Sequence, residues 1–141
     1  MTQEEKVLLL KDISGRLPYG IKCKVNYIIN NETTYGEDVE SECIDIIKRI
    51  SFDTYSVYTE WLGYESDIED IKPYLCPMSS MTEEELVEYK TLEKQCEILP
   101  TFAYISVSKC ILFDWLNAHH FDYRGLIEKG LAIEAPEGMY N

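Results

Sequence analysis

The alternation of apolar and polar positions divides the chain into three kinds of segment. In the opening "MTQEEKVLLLKDISGRLPYG", Val7, Leu10, Ile13 and Leu17 recur at helical spacing behind a Thr2-x-x-Glu5 capping box. This predicts a helix over 3–14, with Gly15 as its left-handed C-terminal cap and Pro18 preventing continuation. Next, "GIKCKVNYII" sets Ile21, Cys23, Val25, Tyr27 and Ile29 against Lys22, Lys24, Asn26 and Ile28, the period-two signature of a strand with one buried face. "NNETTYGED" has hairpin-loop chemistry. The β-branched and aromatic run "VESECIDIIKRISFDTYSVYT" returns as two strands that break near Asp53. In this run "SECIDIIKRI" satisfies a helical face as well, but the alternation and the strand-like "TYSVYTEW" after it favour strands.

"GYESDIEDIKPYLCPMSSM" reads as irregular, because Pro73 and Pro77 argue against an interior helix or a central strand. A second capping box, Thr82 with Glu85, opens a helix whose apolar stripe is Leu86, Tyr89, Leu92, Cys96 and Leu99, ending at Pro100. "TFAYISV" suggests a short strand, "SKCILFDWLNAHH" a mostly buried helix, "DYRGLIEKG" a final turn, and "LAIEAPEGMYN" a tail. The expectation is one α+β domain over 1–141: a helix at 3–14, a small twisted antiparallel sheet or partly closed β-barrel over 20–75, helices packed on it over 82–130, and a tail at 131–141. A chain of 141 residues is long enough to bury its own core.

Charge narrows the partners. Asp and Glu number 26 against 13 Lys and Arg, a formal net charge of -13, which repels phosphate backbones and anionic lipid surfaces and argues against direct nucleic-acid or membrane binding. The acids fall in two groups: Glu32, Glu37, Asp38, Glu40 and Glu42, then Glu60, Glu65, Asp67, Glu69 and Asp70. Solvated faces that confer solubility account for such runs; so does a surface that docks on a basic partner, imitation of a phosphate backbone included. Five widely spaced cysteines without a C-x-x-C pair, and no charged-then-apolar leader, point to the reducing cytoplasm. The longest apolar run, "CILF", is too short for a membrane span.

Two stretches carry candidate chemistry. The eleven tyrosines include Tyr55, Tyr58 and Tyr64, which with Trp61 sit beside Glu65, Asp67, Glu69 and Asp70. Buried sheet packing explains many aromatics, while Tyr and Trp also anchor interfaces, and an aromatic-acidic face suits an Arg-bearing or otherwise basic protein. The second stretch, "NAHHFDYRGLIEKG", holds His119, His120, Asp122 and Arg124, residue types that ligate metals and move protons. Adjacent histidines on a helix point about 100° apart and cannot chelate as an i, i+4 pair, and no H-E-x-x-H is present. Asp122 capping a following turn through the amides of Tyr123 to Gly125, with Gly130 ending it, explains the same residues structurally. No phosphate-binding glycine loop, G-x-S-x-G elbow or cofactor motif appears.

"RLPYGIK", "IKPYLCPMSSMTEEE" and "DWLNAHHFDYRGLIEKGLAIEAPEGMY", about a third of the chain, resemble a family of short, uncharacterised acidic proteins from gut Bacteroidetes and their phages or mobile elements. The resemblance implies a cytosolic, phage- or element-associated context and makes "HHFDYRG" a family block; it implies no catalytic residue and no cofactor. The functional expectation is a non-enzymatic interaction protein with a protein partner, using Tyr55, Tyr58, Trp61, Tyr64, Glu65, Asp67, Glu69 and Asp70. The alternatives are a metal-dependent or other hydrolase centred on His119, His120 and Asp122, and a domain that binds a sugar or other small ligand in a Tyr- and Trp-lined pocket.

Overall fold

The structure, a computed structural model, describes residues 1–30, 38–98 and 102–141. Helix α1 (Gln3–Arg16) starts at the expected capping box: Thr2 Oγ1 accepts from the Glu5 amide at 3.2 Å and Glu5 returns a carboxylate to the Thr2 amide at 2.7 Å. Gly15 does not cap it. The helix runs on to Arg16, and the left-handed residue is Gly20 (φ 70°), behind the 3-10 turn Leu17–Tyr19. Gly15 is set by packing instead, since a Cβ there would lie 2.8 Å from Asn117 Nδ2.

Strand β1 (Lys22–Asn30) follows, then β2 (Asp38–Ser51), β3 (Ser56–Thr59), β4 (Glu65–Asp67) and β5 (Ile71–Leu75). The loop at 31–37 lies outside the described residues. Sheet order is β4-β3-β2-β1-β5, with antiparallel neighbours throughout, and a two-residue β6 (Ile133–Glu134) adds in parallel to β5. The fold is therefore α+β, as expected, with an open, mixed sheet that does not close into a barrel. It is strongly curled nonetheless. The three residues Ile68–Asp70 link β4, at one edge, to β5, on the far side of β1, so the two ends must approach each other. A register shift between Ile47 and Arg49 gives β2 the bend this demands.

Three expectations change. Pro73 lies inside β5, opposite Cys23 of β1; the ladder to β6 begins only at Tyr74, so the missing amide takes no bond from that pairing. "TFAYISV" belongs to helix α3 (Phe102–Ala118), not to a strand. "CILF" is not mostly buried: Cys110, Ile111 and Phe113 are exposed, while α3 packs against α2 (Glu83–Ile98) and α1 through other positions. In α2, Tyr89, Leu92 and Cys96 of the expected stripe are half-buried while Leu86 is exposed, and Leu99 and Pro100 lie outside the described residues. Among the described residues no helix is long and apolar enough to cross a membrane.

The core joins Leu9, Leu10 and Ile13 of α1 to Ile21, Cys23, Val25, Ile47, Val57, Ile68, Ile71 and Leu75 of the sheet and to Leu126 and Leu131 near the C-terminus. Into it α1 also carries a charge. Arg16 is completely buried and donates through Nε to Asp12 Oδ2 (2.8 Å) and through Nη2 to Asp12 Oδ1 (3.0 Å) and the Phe121 carbonyl (2.8 Å). Removing one partner of such a pair strands a charge in low dielectric, at about 3–5 kcal/mol. Asp12→Ala should therefore lower unfolding stability by that order in urea denaturation, and Asp12→Ala/Arg16→Met should recover much of the loss. Equal stability of the wild type and the single variant would contradict this account.

Candidate functional site

The segment 117–130 forms a corner. Helix α3 ends at Ala118, and His120 adopts the left-handed region (φ 58°) that reverses the chain. The reversed strand is pinned to Cys76, whose amide donates to the His120 carbonyl (2.8 Å) and whose carbonyl accepts from the Asp122 amide (2.8 Å). The two imidazoles diverge, as their spacing implies. His119 lies against Trp115, the rings tilted by 30° with centroids 4.2 Å apart, and its Nδ1 lies 2.8 Å from the Trp115 carbonyl. His120 turns the other way, is buried, and stacks on Tyr140 at 3.6 Å.

Asp122 is consumed by backbone, but by the amides of Leu126 (2.8 Å) and Ile127 (2.9 Å) instead of those of Tyr123 to Gly125. Arg124 reaches Asp12 Oδ1 at 3.3 Å and not Asp122. Gly130, left-handed at φ 72°, closes the turn as expected. Among the described residues no group of three His, Cys, Asp or Glu side chains is placed to hold a metal ion. Burial pushes the Cys23 thiol up to about 12, so it stays protonated at neutral pH.

The tail completes this corner. Tyr140 donates its hydroxyl proton to the Tyr74 carbonyl (2.8 Å) and accepts from the Lys22 amide (3.0 Å), while Lys22 Nζ donates to the Met139 carbonyl (2.6 Å). Burial raises the Tyr140 phenol above its ordinary value.

The aromatic-acidic stretch is divided by the fold. Glu65, Asp67 and Asp70 line a groove of about 870 Å³ together with Tyr64, and on its other side stand Tyr27, Glu40 and Glu42 from the β1–β2 ribbon. Lys24 is the one cation in this lining, and it is paired with Glu42. Trp61 is 68% exposed and meets Tyr27 edge-on at 6.3 Å, so it fringes the same region. Its position is fixed from beneath by Asp45, whose carboxylate accepts from the amides of Trp61 (3.0 Å) and Leu62 (3.1 Å). Burial raises the Asp45 carboxyl, but hydrogen bonds from the Trp61, Leu62 and Ile46 amides outweigh it and hold the group below the usual carboxylate range.

Three of the eight residues expected here sit elsewhere. Tyr55 (φ 51°) packs on the core, Tyr58 lies under the Arg49 guanidinium at 4.9 Å, and Glu69 pairs with Lys6 at 3.0 Å. Tyr27, Glu40 and Glu42 were missed as groove residues; Glu40 and Glu42 belong to an acidic run visible in the sequence, but only the curl of the sheet brings them against Tyr64, Glu65, Asp67 and Asp70. Asp70 is raised by burial first and then by the neighbouring charges of Asp67 and Glu69.

Comparison with protein-family models, curated proteins and solved structures finds no match.

His120 gives this corner a pH dependence. Desolvation, and then the Arg16 charge, lower its imidazole from 6.5 to about 4. A depressed histidine takes up its proton more readily when unfolded. The stability it contributes is thus complete above pH 6.5 and is lost as pH falls toward 4, about 3 kcal/mol over the window. His120→Asn, which tolerates the left-handed backbone, should remove that part of the slope when wild type and variant are unfolded in urea at several pH values between 4 and 7; identical slopes would refute the assignment.

Proposed function

We propose that this protein is a non-enzymatic interaction protein, and that the groove between the β1–β2 ribbon and β4 receives a basic segment of a protein partner. One observation carries the reading: five carboxylates, Glu40, Glu42, Glu65, Asp67 and Asp70, converge on one concavity, and among the described residues only Glu42, paired with Lys24, and Glu65, paired with Arg49 at 3.2 Å, have a cationic partner. Exposed Tyr64 and Trp61 border it, aromatic groups of the kind that anchor interfaces and accept guanidinium or ammonium groups on their faces. Trp61 is held by hydrogen bonds to its backbone, so the main chain that carries its ring is already ordered before binding.

The hydrolase alternative is less favoured: His119 and His120 border one cavity but lie against different rings, Trp115 and Tyr140, and Asp122 does not line that cavity and instead caps amides. A sugar or other small ligand is less suited to a site in which carboxylates outnumber aromatic faces. The role we infer is that of a cytoplasmic accessory protein, in keeping with the phage or mobile-element context that the family resemblance implies.

The test is salt-dependent capture. Partner retained on immobilised protein at low salt should elute as salt is raised. The Glu65→Gln/Asp67→Asn/Asp70→Asn variant should weaken binding by roughly tenfold or more, a loss typical of several rim charges acting together. Glu83→Gln/Glu84→Gln on α2, away from the groove, should bind like the wild type. Full retention by the triple variant would overturn this reading. Glu69 is left unaltered because it pairs with Lys6 and does not line the groove.

A further inference from the structure

A second concavity lies on the helical side of the molecule, where α1, the end of α3 and the corner meet. It encloses about 420 Å³, within the size range of small-molecule sites, and shares no lining residue with the acidic groove. Lys11 and Gly15, one turn apart on α1, line it together with Phe113 and Asn117, one turn apart on α3, and with Tyr123 and Arg124 of the corner. Direct contacts tie these residues to one another. The Tyr123 hydroxyl donates to Asn117 Oδ1 (3.0 Å), the Tyr123 and Phe113 ring centroids are 5.3 Å apart, and the Arg124 guanidinium lies 5.1 Å from the Tyr123 ring.

Charge at this place runs against that of the whole chain. The net charge is -13, yet Lys11 and Arg124 are the charged residues in this lining, among those described. Asp12, without side-chain exposure, serves both Arg16 and Arg124, so two guanidiniums share one carboxylate and one positive charge is left uncompensated. Arg16 is buried beyond a ligand's reach. Arg124 is within reach: its side chain is 36% exposed, and its contact with Asp12, 3.3 Å through Nε, is longer than the 2.8 and 3.0 Å bonds from Arg16. Asn117, only 6% exposed, gives its Oδ1 to Tyr123, while its Nδ2 stands over Gly15, 2.8 Å from where a Cβ would lie. Two cations and an amide donor thus border a groove that also holds two aromatic rings, of which Phe113 is exposed.

We propose that this groove binds a small aromatic carboxylate. The anion lies against Arg124 and Lys11, with Asn117 Nδ2 as a further donor, and the flat body lies along Phe113 and Tyr123. A guanidinium fork matches a carboxylate, and aromatic faces favour a planar apolar body. The uncompensated charge of the Asp12, Arg16 and Arg124 cluster is one, which a monoanion neutralises. The site is separate from the partner groove, so either reading stands or falls without the other.

The experiment titrates the full chain with benzoate, read by calorimetry and by chemical shifts, with benzamide, acetate and phenyl phosphate as comparisons. Benzoate should saturate with a dissociation constant of about a millimolar or below and should shift the signals of Gly15, Tyr123 and the Asn117 side-chain amide. Benzamide, which keeps the ring, and acetate, which keeps the charge, should each bind roughly tenfold more weakly or worse. Arg124→Gln should cost roughly tenfold, Arg124→Lys, which keeps the charge without the fork, roughly threefold, and Lys11→Gln about twofold. Glu65→Gln in the acidic groove should leave benzoate affinity unchanged. No saturation by about ten millimolar, equal affinity for benzamide, or wild-type affinity in Arg124→Gln overturns the site. Acetate as tight as benzoate removes the ring from recognition and overturns the aromatic class. Phenyl phosphate roughly tenfold tighter than benzoate reassigns the groove to phosphate esters and overturns the carboxylate. If Arg124→Gln fails to fold, the wild-type shifts decide, and shifts confined to residues outside this groove overturn the proposal.

Discussion

The corner after α3 is tied to α1 by one buried guanidinium. Arg16 lies at the end of α1 with no exposure to solvent, and its partners come from both ends of the chain: Asp12 one turn back and the carbonyl of Phe121 in the corner after α3. Asp12 in turn receives Arg124, and the Tyr123 ring lies 5.3 Å from the Arg16 guanidinium and 5.1 Å from that of Arg124. A buried charge tolerates few arrangements, because each misplacement leaves it desolvated and unpaired. The cluster therefore acts as a register pin. It fixes how far α1 must extend, past Gly15 to Arg16, and where the left-handed turn at His120 must fall.

Asp45 plays a similar part at the opposite side of the sheet, with a different result. Its carboxylate replaces the ladder that β3 would otherwise continue, taking the amides of Trp61 and Leu62 and that of its own neighbour Ile46. The turn after β3 is thereby drawn onto β2, Leu62 goes toward the core, and Trp61 is left outward. One buried acid thus both ends the pairing of β2 with β3 and presents the most exposed aromatic residue of the groove's border.

Local signals were legible in the sequence and long-range ones were not. The two capping boxes fixed the starts of α1 and α2 because a Thr and a Glu three residues apart satisfy each other's backbone without outside help. The alternation from Ile21 to Val25 likewise read directly as a buried face. Pro73 misled because the prohibition on proline in a strand concerns only the side on which an amide is needed, and the shortness of β6 spares it. Residues 102–108 looked strand-like from their β-branched and aromatic content, yet they continue into a helix whose later turns pack on α1 and α2. Of the candidate site, Trp61, Tyr64, Glu65, Asp67 and Asp70 could be named from composition. Their meeting with Tyr27, Glu40 and Glu42 depends on the curl imposed by the Ile68–Asp70 link, which no local pattern encodes.

The seam between Lys22 and Tyr140 bears on the order of folding. The first strand gives its leading amide to a tyrosine hydroxyl 118 positions downstream, and the same hydroxyl bonds to Tyr74 of β5. During synthesis α1 and the five antiparallel strands can form while residues 131–141 are still to come, but β5 then lacks its parallel neighbour and the stacking face of His120 is bare. The growing chain must pass through a state with an uncovered strand edge and a solvated imidazole. Closure of that seam is the step at which β5 ceases to be an edge available to other chains.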